Sequence, residues 1–313
     1  MKILLINPGR RDYIVKYFLK LKKKYNLKIF LIDCDKYIPS FKVSKDTHNF
    51  ISPKNKDKKL YKSFLRKFIK KYKIKIIFPV SDRELQILAE EKKFYEKNRV
   101  NVIVSNQKFI NFTQNKKQMS KILNKNGFYS PEIIKYYEIS RKLPVIKKKI
   151  SGSGSVFQSV IKKNWQIPKL DEKSYFYSKY LNYEEYGIDI LNDLNGNYVH
   201  SCCRKKILMR SGDTDKAKIV NVKVFTDFAK KLSLFTKHIG IIDVDFLYNE
   251  KKIFILDINP RIGGGYPFTH EFGFNYLKNI LLMILKPKKR FLFHKKIKKN
   301  KKIFTKGISI YSH

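Results

Sequence analysis

Short apolar runs alternate with amphipathic stretches through the first third of the chain. Residues 2–6 read KILLI, enough for one buried strand, and Asn7-Pro8-Gly9 after them reads as a tight turn. Residues 10–24 set Ile14, Val15, Phe18, Leu19 and Leu21 at helical spacing, and 28–33 return to an apolar strand. The cycle repeats with a helix over 58–72, carrying Leu60, Phe64, Leu65, Phe68 and Ile69 on one side, and a strand over 75–80. Ser81-Asp82 then caps a helix from Arg83 onward, and 100–105 closes the series. This alternation predicts a parallel sheet with ligands at the carboxyl ends of its strands, where 7–11, 33–35 and 81–84 fall. A single glycine in Asn7-Pro8-Gly9-Arg10-Arg11 falls short of the dinucleotide fingerprint, so a nicotinamide enzyme is poorly supported.

The pattern then changes. A helix over 115–125 ends at Asn126-Gly127, and Pro131 begins a new segment. A short strand over 144–150 feeds Ser151-Gly152-Ser153-Gly154-Ser155, a loop whose backbone N–H groups can wrap a polyphosphate. Gly/Ser loops are also common turns and linkers, so the loop alone decides nothing. Strands follow over 175–181 and 186–194, with Asn195-Gly196 as a hairpin turn into 198–201. Residues 204–215 are polar and are expected to line a site rather than pack. An amphipathic helix over 223–238 presents Phe225, Phe228, Ala229, Leu232 and Phe235, another covers 274–285, and a last strand covers 302–311.

Between those last helices lies the stretch that organises the rest, residues 240–265, GIIDVDFLYNEKKIFILDINPRIGGG. Two apolar strands flank a polar connector, yet Asp245, Asp257 and Asn259 stand among the apolar positions. Aspartate is depleted in strands and costly to bury unpaired. Alternation puts Asp257 and Asn259 on one face. A three-residue loop, 250–252, sets Asp245 directly opposite Asp257, whereas an even-numbered loop separates the carboxylates. Two carboxylates and a carboxamide without His or Cys suit a hard cation, Mg2+ first. A solvated hairpin face, or an aspartate capping the next loop, is the competing reading.

Composition adds limits. The chain has 313 residues and is 43% hydrophobic, enough for two or three globular domains. No apolar run reaches the roughly 18 residues of a membrane span, and 1–6 are too short for a signal segment, which predicts a cytoplasmic protein. Three cysteines, Cys34, Cys202 and Cys203, form no metal spacing and no disulfide framework. The 69 Lys+Arg against 26 Asp+Glu give a net charge of +43. Lysine is spread through almost every segment, with 286–302 densest, and no nucleic-acid motif accompanies it, so compositional bias outranks a polyanion partner.

The order lysine-bearing helix start, Gly/Ser loop, Glu-bearing strand and Asp…Asp-x-Asn-Pro-Arg hairpin resembles the ATP-grasp superfamily, in particular its carbamoyl-phosphate-synthetase-like branch of single-chain ligases. Asp257-Ile258-Asn259-Pro260-Arg261 with Asp245 upstream carries it, helped by Gly9-Arg10-Arg11, Ser81-Asp82-Arg83-Glu84-Leu85 and Arg210-Ser211-Gly212-Asp213-Thr214. The resemblance implies an α/β architecture: an N-terminal parallel-sheet domain over 1–112, then a two-part α+β domain. Its lid spans 113–194 and its larger part, with the metal hairpin, 195–313. It also implies ATP, with two Mg2+ ions for which Mn2+ can substitute, bound through Asp245, Asp257 and Asn259.

Lys116 and Lys148 fall at the family's phosphate lysines, although Asn115 replaces the usual Asp and Lys149 the usual Pro. Gly152, Ser153 and Gly154 fall in the phosphate loop, and Lys179, Tyr180 and Leu181 at the adenine hinge. Glu185 falls at the ribose carboxylate, with Glu184 its competitor. Arg261 is expected to meet the β/γ-phosphates, Gly263-Gly264-Gly265 to approach the transferred phosphoryl group, and Arg210 to bind substrate carboxylate. The implied activity is an ADP-forming carboxylate–amine ligase working through an acyl phosphate on small molecules or saccharide-linked substrates. A homodimer is compatible with it, and no specific nucleic acid is expected. A kinase acting on bicarbonate or carbamate, and a non-catalytic polyanion binder, are the alternatives.

Overall fold

In the first strand, β1 (Lys2–Ile6), Ile3 and Leu5 enter one apolar core while Leu4 and Ile6 enter another. A strand buried on both faces needs no polar alternation, hence the unbroken apolar run. The structure, a computed structural model, describes residues 1–152, 158–210, 212–287 and 303–312. Ser153 and Gly154 of the Gly/Ser loop, and most of the basic run 286–302, lie outside the described residues.

After β1 come α1 (Asp12–Tyr25), β2 (Lys28–Asp33), β3 (Thr47–Ile51), α2 (Lys58–Tyr72), β4 (Ile76–Pro79), α3 (Leu85–Lys97) and β5 (Asn101–Val102). The five strands form one parallel sheet in the order β3-β2-β1-β4-β5. Edge strand β3, THNFI, is mostly exposed on both faces and so left no apolar run to read. Helix α3 starts two residues later than expected, and no side chain caps it. Asp82 is not its cap; it is drawn to Arg261 instead, because a charged partner outcompetes a neutral N–H.

Helices α4 (Gln107–Gln114) and α5 (Lys116–Lys125) lead away from this sheet. Asn115 accepts a 2.9 Å hydrogen bond from the Gln118 N–H, so it caps α5 as an aspartate would. Strands β6 (Ile133–Ile134), β7 (Val145–Lys149), β8 (Ser159–Ile161) and β9 (Tyr175–Lys179) form a small antiparallel sheet, ordered β6-β9-β7-β8.

The third sheet follows, from β10 (Glu184–Asn192), β11 (Tyr198–Arg210) and β12 (Asp213–Val220). Helix α6 (Lys223–Thr236) precedes the central hairpin, β13 (Gly240–Tyr248) and β14 (Ile253–Asn259). Helices α7 (Tyr266–Glu271) and α8 (Tyr276–Leu285) and strand β15 (Ile303–Thr305) complete the chain, and the sheet order is β14-β13-β10-β11-β12-β15. Strand β10 pairs with β11 and β13, so the sheets divide between Lys179 and Glu184 rather than at the expected 194.

Three further expectations change here. The turn after β10 is not a two-residue Asn195-Gly196 hairpin. Asn192 pairs with Tyr198, and the Asp193 carboxylate accepts from the N–H groups of Asn195 and Asn197 to hold a longer loop. Residues 204–215, expected to line a site rather than pack, do both: they form the long β11–β12 ribbon, with Arg204 fully buried in it. The final strand shrinks to three residues.

One face of the large sheet packs Ile188, Ile190, Cys203, Ile242, Val244, Phe246, Ile255 and Ile258 against Phe225, Ala229 and Leu232 of α6. A second core runs from Ile3, Leu5, Ile14 and Phe18 to Ile241, Tyr266, Leu277 and Ile280, joining the N-terminal sheet to α7 and α8. This continuous packing fixes the carboxyl ends of the parallel strands against the hairpin. No helix among the described residues is long and apolar enough to cross a membrane.

Candidate functional site

Burying one face of β10–β14 leaves alternate residues on the other face, and the registers align them in rows. Cys202, Asp189, Asp243 and Asn259 stand opposite one another across β11, β10, β13 and β14. Arg204, Gly187, Asp245 and Asp257 form the next row. Directly paired residues share a face, so the two carboxylates and the carboxamide of the hairpin converge.

They converge for a reason other than loop parity. Tyr248 pairs with Ile253, so the connector 249–252 has an even number of residues, contrary to the three-residue loop expected. The register then shifts between Phe246↔Ile255 and Asp245↔Asp257, leaving Leu256 as the extra residue of a β-bulge. The bulge restores the pairing. It also explains why Ile255 and Ile258, three apart, both reach the core. In sequence the apolar spacing of three was the available signal.

Each hairpin oxygen is met by a cationic group. Lys116 Nζ, from the start of α5, lies against Asp257 Oδ2. Lys206 Nζ bridges Asp245 Oδ1 at 2.6 Å and Glu185 Oε1 at 2.7 Å. Arg261 Nη2 donates to Asn259 Oδ1 at 3.3 Å. Among the described residues no three His, Cys, Asp or Glu side chains form a metal cluster. The donor set here is two carboxylates and one carboxamide, and cations already stand in on all three.

Beneath them sits Arg204, the first residue of the polar stretch 204–215 but not singled out within it. Its Nη1 donates to Asp189 at 2.8 Å and its Nη2 to Asp243 at 2.5 Å. Thr269 Oγ1 donates to the same Asp189 oxygen at 2.5 Å. The guanidinium has room because Gly187 and Gly265 lack side chains; a Cβ on Gly265 would lie 1.9 Å from Nη2. Gly263 packs likewise on Asp243, where a Cβ would come within 2.2 Å of Cγ. The glycine run therefore lies flat on the polar face. Asp243 was also missed, though it follows from alternation with Asp245; Lys206, within the polar stretch 204–215, was not singled out either.

The electrostatics follow from this crowding. Burial pushes the Asp245 carboxyl up to about 6, with Lys206 opposing and Asp243 assisting. Burial works against the charge on Lys206, but Asp245 and Glu185 together outweigh it and raise its pKa. Lys148, on strand β7, is pushed down to about 8 by burial and then by the neighbouring Lys116. Asp257 and Glu185 oppose that shift without cancelling it.

The remaining expected residues divide. Lys148 is buried whereas Lys147 lies 4.0 Å over the Tyr175 ring, so alternation separates the consecutive lysines. The Lys116 N–H donates to Ile150 O, tying the end of β7 to α5 just before Gly152, which has φ +117°. At the hinge, the N–H groups of Lys179 and Tyr180 already donate to Glu132 O and Pro144 O. Glu185 faces the site while Glu184 turns to Lys205 and Tyr186. Arg261 is held bidentately by Asp82, at 2.8 and 2.6 Å, rather than standing free for phosphate. Arg210 lies at the exposed rim, 3.6 Å from Asp215. Cys202 and Cys203 are buried strand residues, and His270 stacks on Tyr17 at 3.5 Å.

At the carboxyl end of β4, fully buried Glu84 accepts from Asn7 and, at 2.7 Å, from Ser81. Burial pushes its carboxyl up to about 7, against those hydrogen bonds and Arg83 and with the help of Asp33. The folded protein then holds a proton that the unfolded chain has released, so stability falls as pH rises from the unfolded carboxyl range toward neutrality. Glu84→Gln removes that slope. Compared by urea denaturation, the variant should gain on the wild type by up to about 3 kcal/mol between acid and slightly alkaline pH. A difference independent of pH would contradict the assignment.

The PylC-like N-terminal domain family matches residues 3–103, and the ATP-grasp domain family matches 113–265. No match was found among curated proteins. Many solved structures share the fold. The biotin carboxylase domain of Hydrogenobacter thermophilus 2-oxoglutarate carboxylase, a dimer with MgADP, ADP and bicarbonate, superposes with TM-score 0.71 at 15% identity, covering 93% of this chain and 70% of that one. Staphylococcus aureus N5-carboxyaminoimidazole synthetase gives 0.67 at 18% identity over 90% and 76% of the two chains. The L-amino acid ligase of Bacillus licheniformis gives 0.68 at 13% over 91% and 74%. At these identities the likeness concerns the fold.

Proposed function

We propose, from the match of residues 3–103 to the PylC-like N-terminal domain family and of residues 113–265 to the ATP-grasp domain family, that this chain is an ATP-grasp ligase joining a carboxylate to an amine and forming ADP through an acyl phosphate. The observation that carries the reading is the convergence of Asp245, Asp257 and Asn259 on one face, each oxygen already met by a cationic side chain. That donor set suits Mg2+, with water and phosphate oxygens completing the coordination. Mg2+ held there would neutralise charge on the transferred phosphoryl group.

The chain's own residues do the rest. Lys116 and Lys148 present two ammonium groups at the junction of lid and sheet, where the β- and γ-phosphates would lie. Burial lowers the Lys148 pKa to about 8, and an arriving anion would hold its ammonium fully charged. The hinge 179–181 receives the adenine through backbone groups, and Glu185 the ribose hydroxyls once Lys206 releases it. Arg261, clamped by Asp82, keeps its remaining donor edge fixed toward Asn259. The glycine run brings backbone N–H groups against the γ-phosphate with no side chain intervening. Phosphoryl transfer asks mainly for neutralised charge and alignment, which these groups supply. The Gly/Ser loop at Gly152 would exclude water from an intermediate that hydrolyses readily.

The test supplies ATP, Mg2+ and pools of carboxylates and amines, and assays nucleotide products and new amides. ADP together with an amide is expected. AMP and pyrophosphate in place of ADP would overturn the mechanism.

A further inference from the structure

The ligase reading leaves the amine without a binding group, and the β11–β12 ribbon offers one. Most carboxylates on the site face are held from within: Asp189 and Asp243 by Arg204, Asp245 by Lys206, Asp257 by Lys116, and Asp82 by Arg261. Asp213 is different. It opens β12 opposite Arg210, with its side chain 58% exposed. The Thr214 N–H fixes Oδ1 at 2.9 Å. That oxygen rests on the middle glycine of the run, where a Cβ on Gly264 would lie 2.3 Å away. Gly263, one residue earlier, packs on Asp243. Successive Cα atoms are about 3.8 Å apart, so Asp213 borders the metal-and-phosphate face. Arg11 and Tyr13 feel its charge from the N-terminal domain.

The partner of Asp213 arrives from outside the site. Lys306 Nζ lies 2.7 Å from Oδ2, carried in by the three-residue edge strand β15. The Lys306 N–H donates to Asp215 O, and its ammonium also lies 5.5 Å from the Phe268 ring centroid. A primary ammonium group thus already occupies this carboxylate. The pair is partly exposed, and such pairs contribute only about 0–1 kcal/mol, so an incoming ammonium can displace it.

We propose that Asp213 is the binding group for the amine substrate, which it receives as a primary ammonium in the place that Lys306 fills in the ligand-free chain. This rests on the ligase reading. The amine would be held at the glycine run, beside the phosphoryl-bearing face. Lys306 then acts as a built-in competitor that leaves when the amine arrives.

Hydroxylamine separates the two claims, because it is uncharged at neutral pH and traps an acyl phosphate without needing a carboxylate to hold it. With ATP, Mg2+ and carboxylate pools, hydroxamate formation is measured against rising methylammonium, which diverts or blocks the trapping wherever it binds. Asp213→Asn should raise the half-inhibiting methylammonium concentration by about 10- to 100-fold, the value of a hydrogen bond to a charged group, with each variant read relative to its own hydroxamate yield without methylammonium. Asp213→Glu should restore part of the sensitivity, and Lys306→Met should increase it. Equal methylammonium sensitivity in wild type and Asp213→Asn overturns the proposal. So does an equal loss of hydroxamate yield in Asp213→Asn and Lys306→Met, which would make the pair a structural latch. No hydroxamate from any pool overturns the ligase reading and this proposal with it.

Discussion

Asp257→Asn should abolish turnover while leaving the protein folded. Asp257 lies opposite Asp245 and its side chain is 19% exposed, so the amide fits where the carboxylate was and still offers the Lys116 ammonium an acceptor oxygen. What disappears is half of the anionic charge that the hairpin offers a divalent cation. Metal assistance to phosphoryl transfer supplies several kcal/mol, so a loss of about 10³-fold in ADP formation is expected, equivalent to about 4 kcal/mol. Thermal stability provides an independent readout. Mg·ATP should raise the wild-type melting temperature well above the effect of ATP with a chelator, and this difference should collapse in Asp257→Asn. Near-normal turnover, or an undiminished Mg2+ effect, would remove Asp257 from the metal set.

Arg204→Met should destabilise the fold more than any other single change at the site. The guanidinium is the shared counter-ion of Asp189 and Asp243, and it is 1% exposed. Methionine fills part of the volume but leaves two buried carboxylates facing each other across paired strands. Removing one member of a buried ionic group costs about 3–5 kcal/mol, because the remaining charge stays desolvated. The glycine run also loses its floor, since Gly265 lies directly over the guanidinium. Urea denaturation measures the loss. A change under about 1 kcal/mol would mean that the carboxylates find other partners or take up protons at no cost.

The N-terminal sheet was legible because doubly buried strands write themselves as unbroken apolar runs, as KILLI does at 2–6. Edge strand β3 was not legible, because THNFI buries almost nothing. The hairpin was legible as chemistry: three oxygen-bearing side chains among apolar residues demanded an explanation. Its geometry was inferred through the wrong device. An even connector and a bulge at Leu256 bring Asp245 and Asp257 together, and a bulge announces itself in sequence only through the three-residue spacing of Ile255 and Ile258. Arg204 and Lys206 were hidden among 69 basic residues, where only a strand register distinguishes a buried counter-ion from a solvated surface charge. Asp82 was read as a cap because capping is local, whereas its actual partner, Arg261, is 179 residues away.

The central claim is that a carboxylate oxygen attacks the γ-phosphate at the face built by Asp245, Asp257 and Asn259. Carboxylate pools labelled with 18O test it directly. Incubated with ATP, Mg2+ and amines, the wild-type protein should yield ADP and inorganic phosphate carrying one 18O from the carboxylate, because the bridging oxygen of an acyl phosphate leaves with the phosphate. Label appearing in AMP, or phosphate released without label as amide forms, would contradict the account.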